Sequence, residues 1–565
     1  MNNNQKSIFF DVYQYQQQTI KGKLKARWKF LLLFLFLLLF FIFFIGIDWK
    51  FAPSGFALFK ENIIKFFHVS NISSYYGNTN LWVLSFQFLF YSIKIIFVAT
   101  FVGALLAFLT ALLTNYQMVK KWVVIPFKII VISLRLFPEL LFIYFFSISF
   151  DKTLGLFLLF VWFTWLWLHE YFSQIIENAN FKIYFHLAKQ KTNRFKAFFQ
   201  EIWPQIKPKI LNYFLYSFES NLRWSSILSQ LGFLGIGTLL QVPLIHNNYY
   251  SELFIPLFVL ICFFVILELL QLFINENFFK SKSLKTFKQY NDYSLIKKLI
   301  VAFLSLLVIL LLIFVINDLV NQKVYFANQK EYWNDLFNPN WRILNLESYK
   351  ENNFFWILFQ LFALISITCL LLFFVLYVNL FFINKYIFNK FVYIIFKIIN
   401  LFIRMIPILI LFILINPIFN SYATTFIFAF AIHGSSSVIR NLEMSINNLE
   451  ESKIKSLKKQ NWTKWKIYNK FILPSIKLEL SSFMTFEIEK ITRNFMSYGL
   501  YNSSLFGGNM ILNRVREFDD IAPYLWIGFI LIAIISIFGY LKRLQIQRNY
   551  IFRAFKSKKK TPLIS

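Results

Sequence analysis

LAKQKTNRFKAFFQEIWP (187–204) and LKKQNWTKWKIYNKFILP (457–474) are two basic stretches set between long apolar runs. Leu187, Lys189, Gln190, Lys196, Ile202 and Pro204 of the first align with Leu457, Lys459, Gln460, Lys466, Ile472 and Pro474 of the second at an offset of 270, and Arg194 aligns with Lys464. The register continues downstream, where Glu219, Arg223 and Gly237 meet Glu489, Arg493 and Gly507. Upstream, Arg135-Leu-Phe-Pro138 recurs as Arg404-Met-Ile-Pro407 at an offset of 269. One register kept over so long a stretch weighs against chance. It predicts a parallel repeat of two like-oriented halves, with a pore or site at the interface between them.

The flanking sequence sets the solvent. Of 565 residues, 58% are apolar and only 15% charged, against about 45–50% and about 25% in an ordinary soluble domain. The excess falls in runs of about 20 residues, the length that crosses a hydrocarbon core. Twelve helices are expected, near 28–48, 82–112, 122–149, 153–176, 209–230 and 252–275, then 298–317, 354–384, 388–417, 421–446, 475–498 and 522–541. Pro138 and Pro407 are the natural break points in the third and the ninth of these. The fold class read from this pattern is an all-α polytopic membrane protein. Residues 1–279 form one six-helix half, 280–297 a basic linker, 298–541 the second half and 542–565 a basic tail.

The net charge of +31 concentrates between and beyond the apolar runs. It therefore reads as a topological signal, with Lys and Arg marking cytoplasmic loops, and not as a nucleic-acid surface. The linker carries Lys280, Lys282, Lys285, Lys288 and Lys297, and the tail carries Lys542, Arg543, Arg548 and Arg553 with no acid. Both ends are expected inside. The stretches 49–81 and 318–353, mixed in charge, are expected outside. The first apolar run, behind Lys21, Lys23, Lys25 and Arg27, is too long for a signal-peptide core and reads as a spanning helix. Cys262 and Cys369 lie inside apolar runs and read as packing residues.

Function is sought first in the two basic stretches, at about 177–208 and 447–474. Each lies between the fourth and fifth helices of its half and ends in an apolar residue plus Pro. Short helices there would lie along the inner membrane face and offer a docking surface; a plain positive loop that anchors topology is the alternative. The pairs Glu219/Arg223 and Glu489/Arg493 are spaced i,i+4, so their side chains meet on one helix face. An ionised group at mid-membrane costs about 2.5–3.5 kcal/mol on insertion scales. Such pairs either fix helix rotation or line a path, with Arg223, Arg493, Arg135, Arg404 and Lys94 attracting an anion.

Both basic stretches resemble the cytoplasmic loop of binding-protein-dependent ABC importer permeases. In that family a Glu-Ala-Ala run precedes a Gly by three residues, and a Pro follows thirteen residues after the Gly. The Gly position maps to Lys191 and Asn461, and the Glu position to Phe185 and Lys455, so neither residue is kept. The resemblance implies a coupling helix seated in a groove of a separate ATPase subunit, which works as a dimer. A second resemblance, to phosphonate-type permeases, rests on Arg135, Pro138 and Glu139, on Pro204, Gln205 and Pro208, on Tyr216, Glu219, Asn221 and Arg223, and on Gly232, Gly235 and Gly237. The second half keeps Arg404, Pro407, Pro474, Glu489 and Arg493 but has Ile491 for the Asn. Members of that family are single-domain subunits that pair, so this chain resembles two of them fused.

The resemblance implies a type I importer permease in the cell membrane, moving a small anionic solute such as a phosphonate or organophosphate. An extracellular solute-binding protein would deliver that solute. The implied coupling residues are Leu187, Lys189, Gln190, Lys191, Arg194, Lys196 and Pro204, with Leu457, Lys459, Gln460, Asn461, Lys464, Lys466 and Pro474. Arg135, Glu219, Asn221, Arg223, Arg404, Glu489 and Arg493 are candidates for the path. The run LGFLGIG (231–237) lacks the Lys-Ser/Thr of a phosphate loop, so hydrolysis is assigned to the partner. No enzyme activity, cofactor or metal is expected. The competing reading is an ion-coupled secondary transporter, also built as six plus six helices.

Overall fold

A computed structural model describes residues 10–15, 18–189, 194–229, 232–244, 247–274, 276, 287–344, 353–447, 449–512 and 518–558. The molecule is an all-α polytopic membrane protein. Two antiparallel hairpins are its strands among the described residues: β1 (Phe10–Tyr15) with β2 (Gln18–Leu24), and the short β3 (Ile72–Ser73) with β4 (Thr79–Asn80).

Among the described residues eight helices are long and apolar enough to cross a membrane. Six of them are α1 (Ala26–Ile45), α3 (Leu81–Leu113), α6 (Lys152–Glu177), α11 (Phe254–Ile274), α14 (Phe354–Phe382) and α17 (Tyr422–Asn447). The apolar part of α12 (Phe287–Leu319) and the first part of α23 (Ala522–Lys558) complete the set. Helices suit this solvent because every backbone group between their ends is satisfied within the segment. Helix α1 buries no residue, and most of its Leu/Phe surface is exposed.

The two proline-interrupted runs are broken sharply. Helix α4 (Lys121–Leu136) meets α5 (Glu139–Ser149) at 85°, and α15 (Lys390–Met405) meets α16 (Ile408–Ile415) with its short extension at 96°. Pro138 and Pro407 each start the second arm, where a missing N–H costs no helical hydrogen bond. The long arms show Trp122, Ile129, Phe391 and Phe402 to the outside, while the short arms are buried. Counting each broken pair as one span gives ten.

The expected fifth helix of each half does form, as α9 (Trp203–Leu228) and α21 (Lys477–Ser497). Neither is apolar enough to register as a span by composition, so the count of twelve does not follow from hydropathy. The reason is their position. They lie inside the bundle, α9 against α3 and α6 and α21 against α14, α17 and α23, and carry polar groups that lipid-facing helices cannot.

Crosswise contacts link the first part of the chain to the second. Helix α1 packs on α14, and α12 packs on α3. Phe51, just after α1, forms an antiparallel bridge with Phe419, and Val324, just after α12, forms one with Phe150. The stretches 49–81 and 318–353, expected outside, contain helices α2 (Gly55–Phe67) and α13 (Phe326–Phe337). Helix α2 packs on α16, and α13 on α5. Lys94, a candidate for the path, pairs with Asp318 of α12 at 2.5 Å. Gly237, in the short helix α10 (Ile236–Leu240), and Gly507, in α22 (Leu505–Leu512), each press on the last turns of the preceding long helix. A Cβ at Gly237 would stand 2.6 Å from Ser226 Cα, and one at Gly507 2.5 Å from the Phe495 carbonyl oxygen.

Candidate functional site

The buried charges gather where α9 and α21 meet the two broken helices. The i,i+4 spacing places Arg493 beside Glu489, 3.1 Å away. The guanidinium then reaches the break after α4, where Nη2 donates to the Arg135 carbonyl at 2.7 Å and Nη1 to the Phe137 carbonyl at 3.1 Å. These carbonyls are the orphans that a helix end leaves unpaired. Arg223 does the same at the other break, donating to the Arg404 carbonyl at 2.6 Å. Each polar inner helix thus caps the broken helix that lies about 180 or 360 residues away in sequence.

Side chains close the same crossings. Arg135 lies 3.6 Å from Glu489 and 3.4 Å from Glu170, and stacks over Trp167. Glu139 sits 3.8 Å from Arg493 and accepts a hydrogen bond from Ser497 at 2.8 Å. At the other crossing Glu219 faces Arg223 at 3.6 Å, Arg440 at 3.6 Å and Arg404 at 3.9 Å. Glu268 of α11 holds Arg404 at 2.9 Å and Arg440 at 3.2 Å. Arg404, Arg493 and Glu489 are almost wholly buried. Deleting one partner of a buried pair costs about 3–5 kcal/mol, so each crossing is a strong positional lock.

The path candidates therefore meet in two groups: Arg135, Glu489 and Arg493 in one, and Glu219, Arg223 and Arg404 in the other. Asn221 lies apart from both. Its amide donates to Thr100 at 2.9 Å and Thr164 at 2.8 Å, tying α9 to α3 and α6. Sequence reasoning missed Glu170, Glu268 and Arg440 as members of these groups. Each is an ionisable residue within an apolar helix, which was the available signal. Glu170 and Arg440 stand at equivalent positions, offset 270, with opposite charge.

The basic stretches fold as short helices on the ends of the bundle. The second comprises α18 (Glu451–Lys459), α19 (Lys464–Ile467), a wide π turn over Tyr468–Ile472 and α20 (Leu473–Ser475). Ile454, Ile467, Tyr468 and Ile472 are buried, whereas Lys459, Gln460, Asn461, Lys464, Lys466 and Pro474 are exposed and Leu457 is half-buried. Tyr468 Oη donates to the Tyr377 carbonyl at 2.8 Å, and Tyr377 Oη to Asn469 Oδ1 at 2.6 Å. Asn461, at the Gly position of the motif, has φ +55°. That is the left-handed conformation Asn tolerates better than most residues. The Lys455 ammonium, 2.9 Å from Glu451, holds that carboxyl below the usual carboxylate range.

The first stretch has α7 (Lys182–Lys189), α8 (Arg194–Ala197) and a π turn over Phe198–Ile202. The two π turns stand at the same offset of 270. Leu187 is half-buried, and Lys196 and Pro204 are exposed. Lys189 and Arg194 lie on the helical backbone, while Gln190 and Lys191 lie outside the described residues. Phe181, Tyr184, Phe198 and Ile202 are buried against the ends of α3 and α6, beside Ala111, Phe172 and Ile176. Both segments thus bury an apolar face; the second leaves a row of cations in solvent. Among the described residues no group of three or more His, Cys, Asp or Glu is arranged to hold a metal ion.

Residues 381–549 match the family described as binding-protein-dependent transport system inner membrane component. The matched stretch includes α15 to α22, the second basic segment and the start of the tail. The chain is 28% identical to the ABC transport system permease protein p69 of Mycoplasma genitalium over 499 residues, 86% of this chain and 90% of that protein. It is 27% identical to the protein of the same name from Mycoplasma pneumoniae, over 85% of this chain and 86% of that one. No solved structure matches. These similarities support an ABC transporter permease, with the type I permease fold.

Proposed function

We propose that the chain is the membrane permease of an ATP-driven importer for a small anionic solute, a phosphonate or organophosphate. It is built from two pseudo-equivalent halves, 1–279 and 298–541, joined by the 280–297 linker. The observation that carries this reading is the reciprocal capping of the broken helices, Arg223 on the Arg404 carbonyl and Arg493 on the Arg135 carbonyl. Two halves locked this way share one interface, and that interface is the translocation path. The anionic solute follows from the resemblance of 203–237 to phosphonate-type permeases and from the arginines at the crossings.

Leu187–Lys196 and Leu457–Lys466 are the coupling segments, and Pro204 and Pro474 end them. A dimeric ATPase subunit grips both from the cytoplasm, the side that also holds the two chain termini. Closure of that dimer draws the segments together and separates the halves on the outer face, where an extracellular binding protein delivers solute. The chain itself performs no hydrolysis.

Co-purification tests this reading. The detergent-extracted chain brings down an ATPase, and Lys459→Glu with Lys464→Glu releases it. Solute uptake that survives ATP depletion and collapses with an ion gradient overturns the proposal.

A further inference from the structure

The two crossings are not electrically equivalent. Around Arg404, the formal cations are Arg223, Arg404, Arg440 and Lys490, and the carboxylates are Glu219, Glu268 and Glu487, a balance of 4 − 3 = +1. At the opposite crossing Arg135 and Arg493 face Glu139, Glu170 and Glu489, a balance of 2 − 3 = −1.

Hydrogen bonding differs in the same sense. Arg493 uses all three of its nitrogens, Nε on Glu489, Nη1 on the Phe137 carbonyl and Nη2 on the Arg135 carbonyl and Glu489. Arg404 is 2% exposed, yet its Nη1 has no hydrogen-bond partner, and Arg440 Nη1 has none either. Both ring nitrogens of His433, 6% exposed, also lack a hydrogen bond of ordinary geometry, with the Arg404 backbone as a neighbour. His433 lies within electrostatic reach of Arg223, Arg404 and Lys490. It stands seven residues before Arg440, on the same face of α17. A buried polar group left unmet costs free energy; here Arg404 Nη1 and Arg440 Nη1, the latter 3.6 Å from Glu219, are donors without a hydrogen bond, and Glu219 Oε1 is an acceptor without one, under an excess positive charge.

We infer that this crossing is an oxyanion subsite, in which a phosphate- or phosphonate-type group accepts from Arg404 Nη1, Arg440 Nη1 and His433. The opposite crossing is a closed clasp that holds the halves in register. Only one of two pseudo-equivalent sites then handles solute. Arg440 and Glu268, each about a quarter exposed, form the edge by which the anion arrives and leaves. Glu268 occupies the arginines in its absence and gives them up to it. The inference rests on the transport reading above but does not follow from it.

The test uses the full chain in nanodiscs of zwitterionic lipid, with equilibrium dialysis of radiolabelled inorganic phosphate. One saturable site per chain is expected. Arg440→Gln weakens it about tenfold or more, the scale of removing one charge-assisted hydrogen bond. Glu268→Gln tightens it several-fold by removing the competing carboxylate, and Glu170→Gln at the other crossing leaves it within twofold. The gain from Glu268→Gln is a result that misfolding cannot imitate. Binding absent, or unchanged by both Arg440→Gln and Glu268→Gln, overturns the subsite. So does binding displaced stoichiometrically by phosphatidylglycerol, which makes it a headgroup site. Retained ATPase co-purification beside any of these failures leaves the importer reading standing; loss of that partner in the unaltered chain removes the importer reading instead.

Discussion

Arg493→Gln is expected to cost more stability than Arg223→Gln, although the two residues are equivalent by sequence. Arg493 donates to two carbonyls, at 2.7 and 3.1 Å, and to Glu489 at 3.1 and 3.4 Å. Its loss leaves Glu489 with Arg135, at 3.6 Å, as its remaining cation among the described residues, and takes from Glu139 the guanidinium 3.8 Å away. Breaking a buried pair in this manner costs about 3–5 kcal/mol. Arg223 caps one carbonyl, at 2.6 Å, and Glu219 keeps Arg404 and Arg440 within 4 Å after Arg223 is gone. That loss is about one charge-assisted hydrogen bond, roughly 1.5–3 kcal/mol. The gap, about 1.5–2 kcal/mol, is about tenfold or more in an unfolding equilibrium. Denaturant titration in mild detergent measures it, with tryptophan emission as the probe, since Trp167 lies under both Arg135 and Arg493. Equal losses, or a larger loss for Arg223→Gln, contradict this ranking and the asymmetry behind it.

Three further outcomes follow from local geometry. Gly507→Ala puts a Cβ 2.5 Å from one backbone oxygen and 3.0 Å from Gly499 Cα. It should destabilise by about 1–3 kcal/mol, whereas Gly508→Ala, facing only Asn502 Oδ1 at 3.2 Å, should be nearly neutral; thermal melts of the purified variants compare them. Asn461→Gly should preserve coupling and Asn461→Ile impair it by about 1–2 kcal/mol of local strain, read as the permease's stimulation of its ATPase. The Lys323 amide and Tyr325 hydroxyl bonded to Asp151 hold that carboxyl below its usual range. Its stabilising contribution is therefore complete above the unfolded value, about 3.9, and lost only as pH falls through the lower folded value. Hydrogen exchange at the Lys323 amide should show equal protection factors at pH 7 and pH 5, and an Asp151→Asn chain should lose protection at both.

Much of the fold was legible because its determinants are local. Apolar runs fixed the spanning helices, and Pro138 and Pro407 fixed the two breaks. In the second basic stretch Ile454, Ile467 and Ile472, set among lysines, are buried and seat its short helices on the bundle. The fifth helices were legible by length and yet escape a hydropathy criterion, because a helix enclosed by others need not satisfy lipid. Helices α2 and α13 were missed. Their stretches are mixed in composition, and their order comes from packing on α16 and α5, which no local pattern announces.

The site shows why a repeat is not enough to read an interface. The offsets of 269 and 270 say that Arg223 is equivalent to Arg493 and Arg404 to Arg135, but equivalence is silent on which copy touches which. Within one half, Arg223 and Arg135 are 88 positions apart and nothing in their spacing forbids a contact. The structure pairs Arg223 with Arg404 and Arg493 with Arg135 instead, and the bridges at Phe51–Phe419 and Phe150–Val324 repeat the exchange elsewhere. Charge was the clue that sequence did carry. Glu170 and Arg440 occupy one equivalent position with opposite sign, so the two halves cannot present the same face to each other. One crossing needs Arg440 balanced by Glu268, and the other needs Glu170 balanced by Arg135. A repeated frame that carries an acid at one position and a base at its equivalent keeps its symmetry in the backbone and gives it up at the crossing proposed to hold an anion.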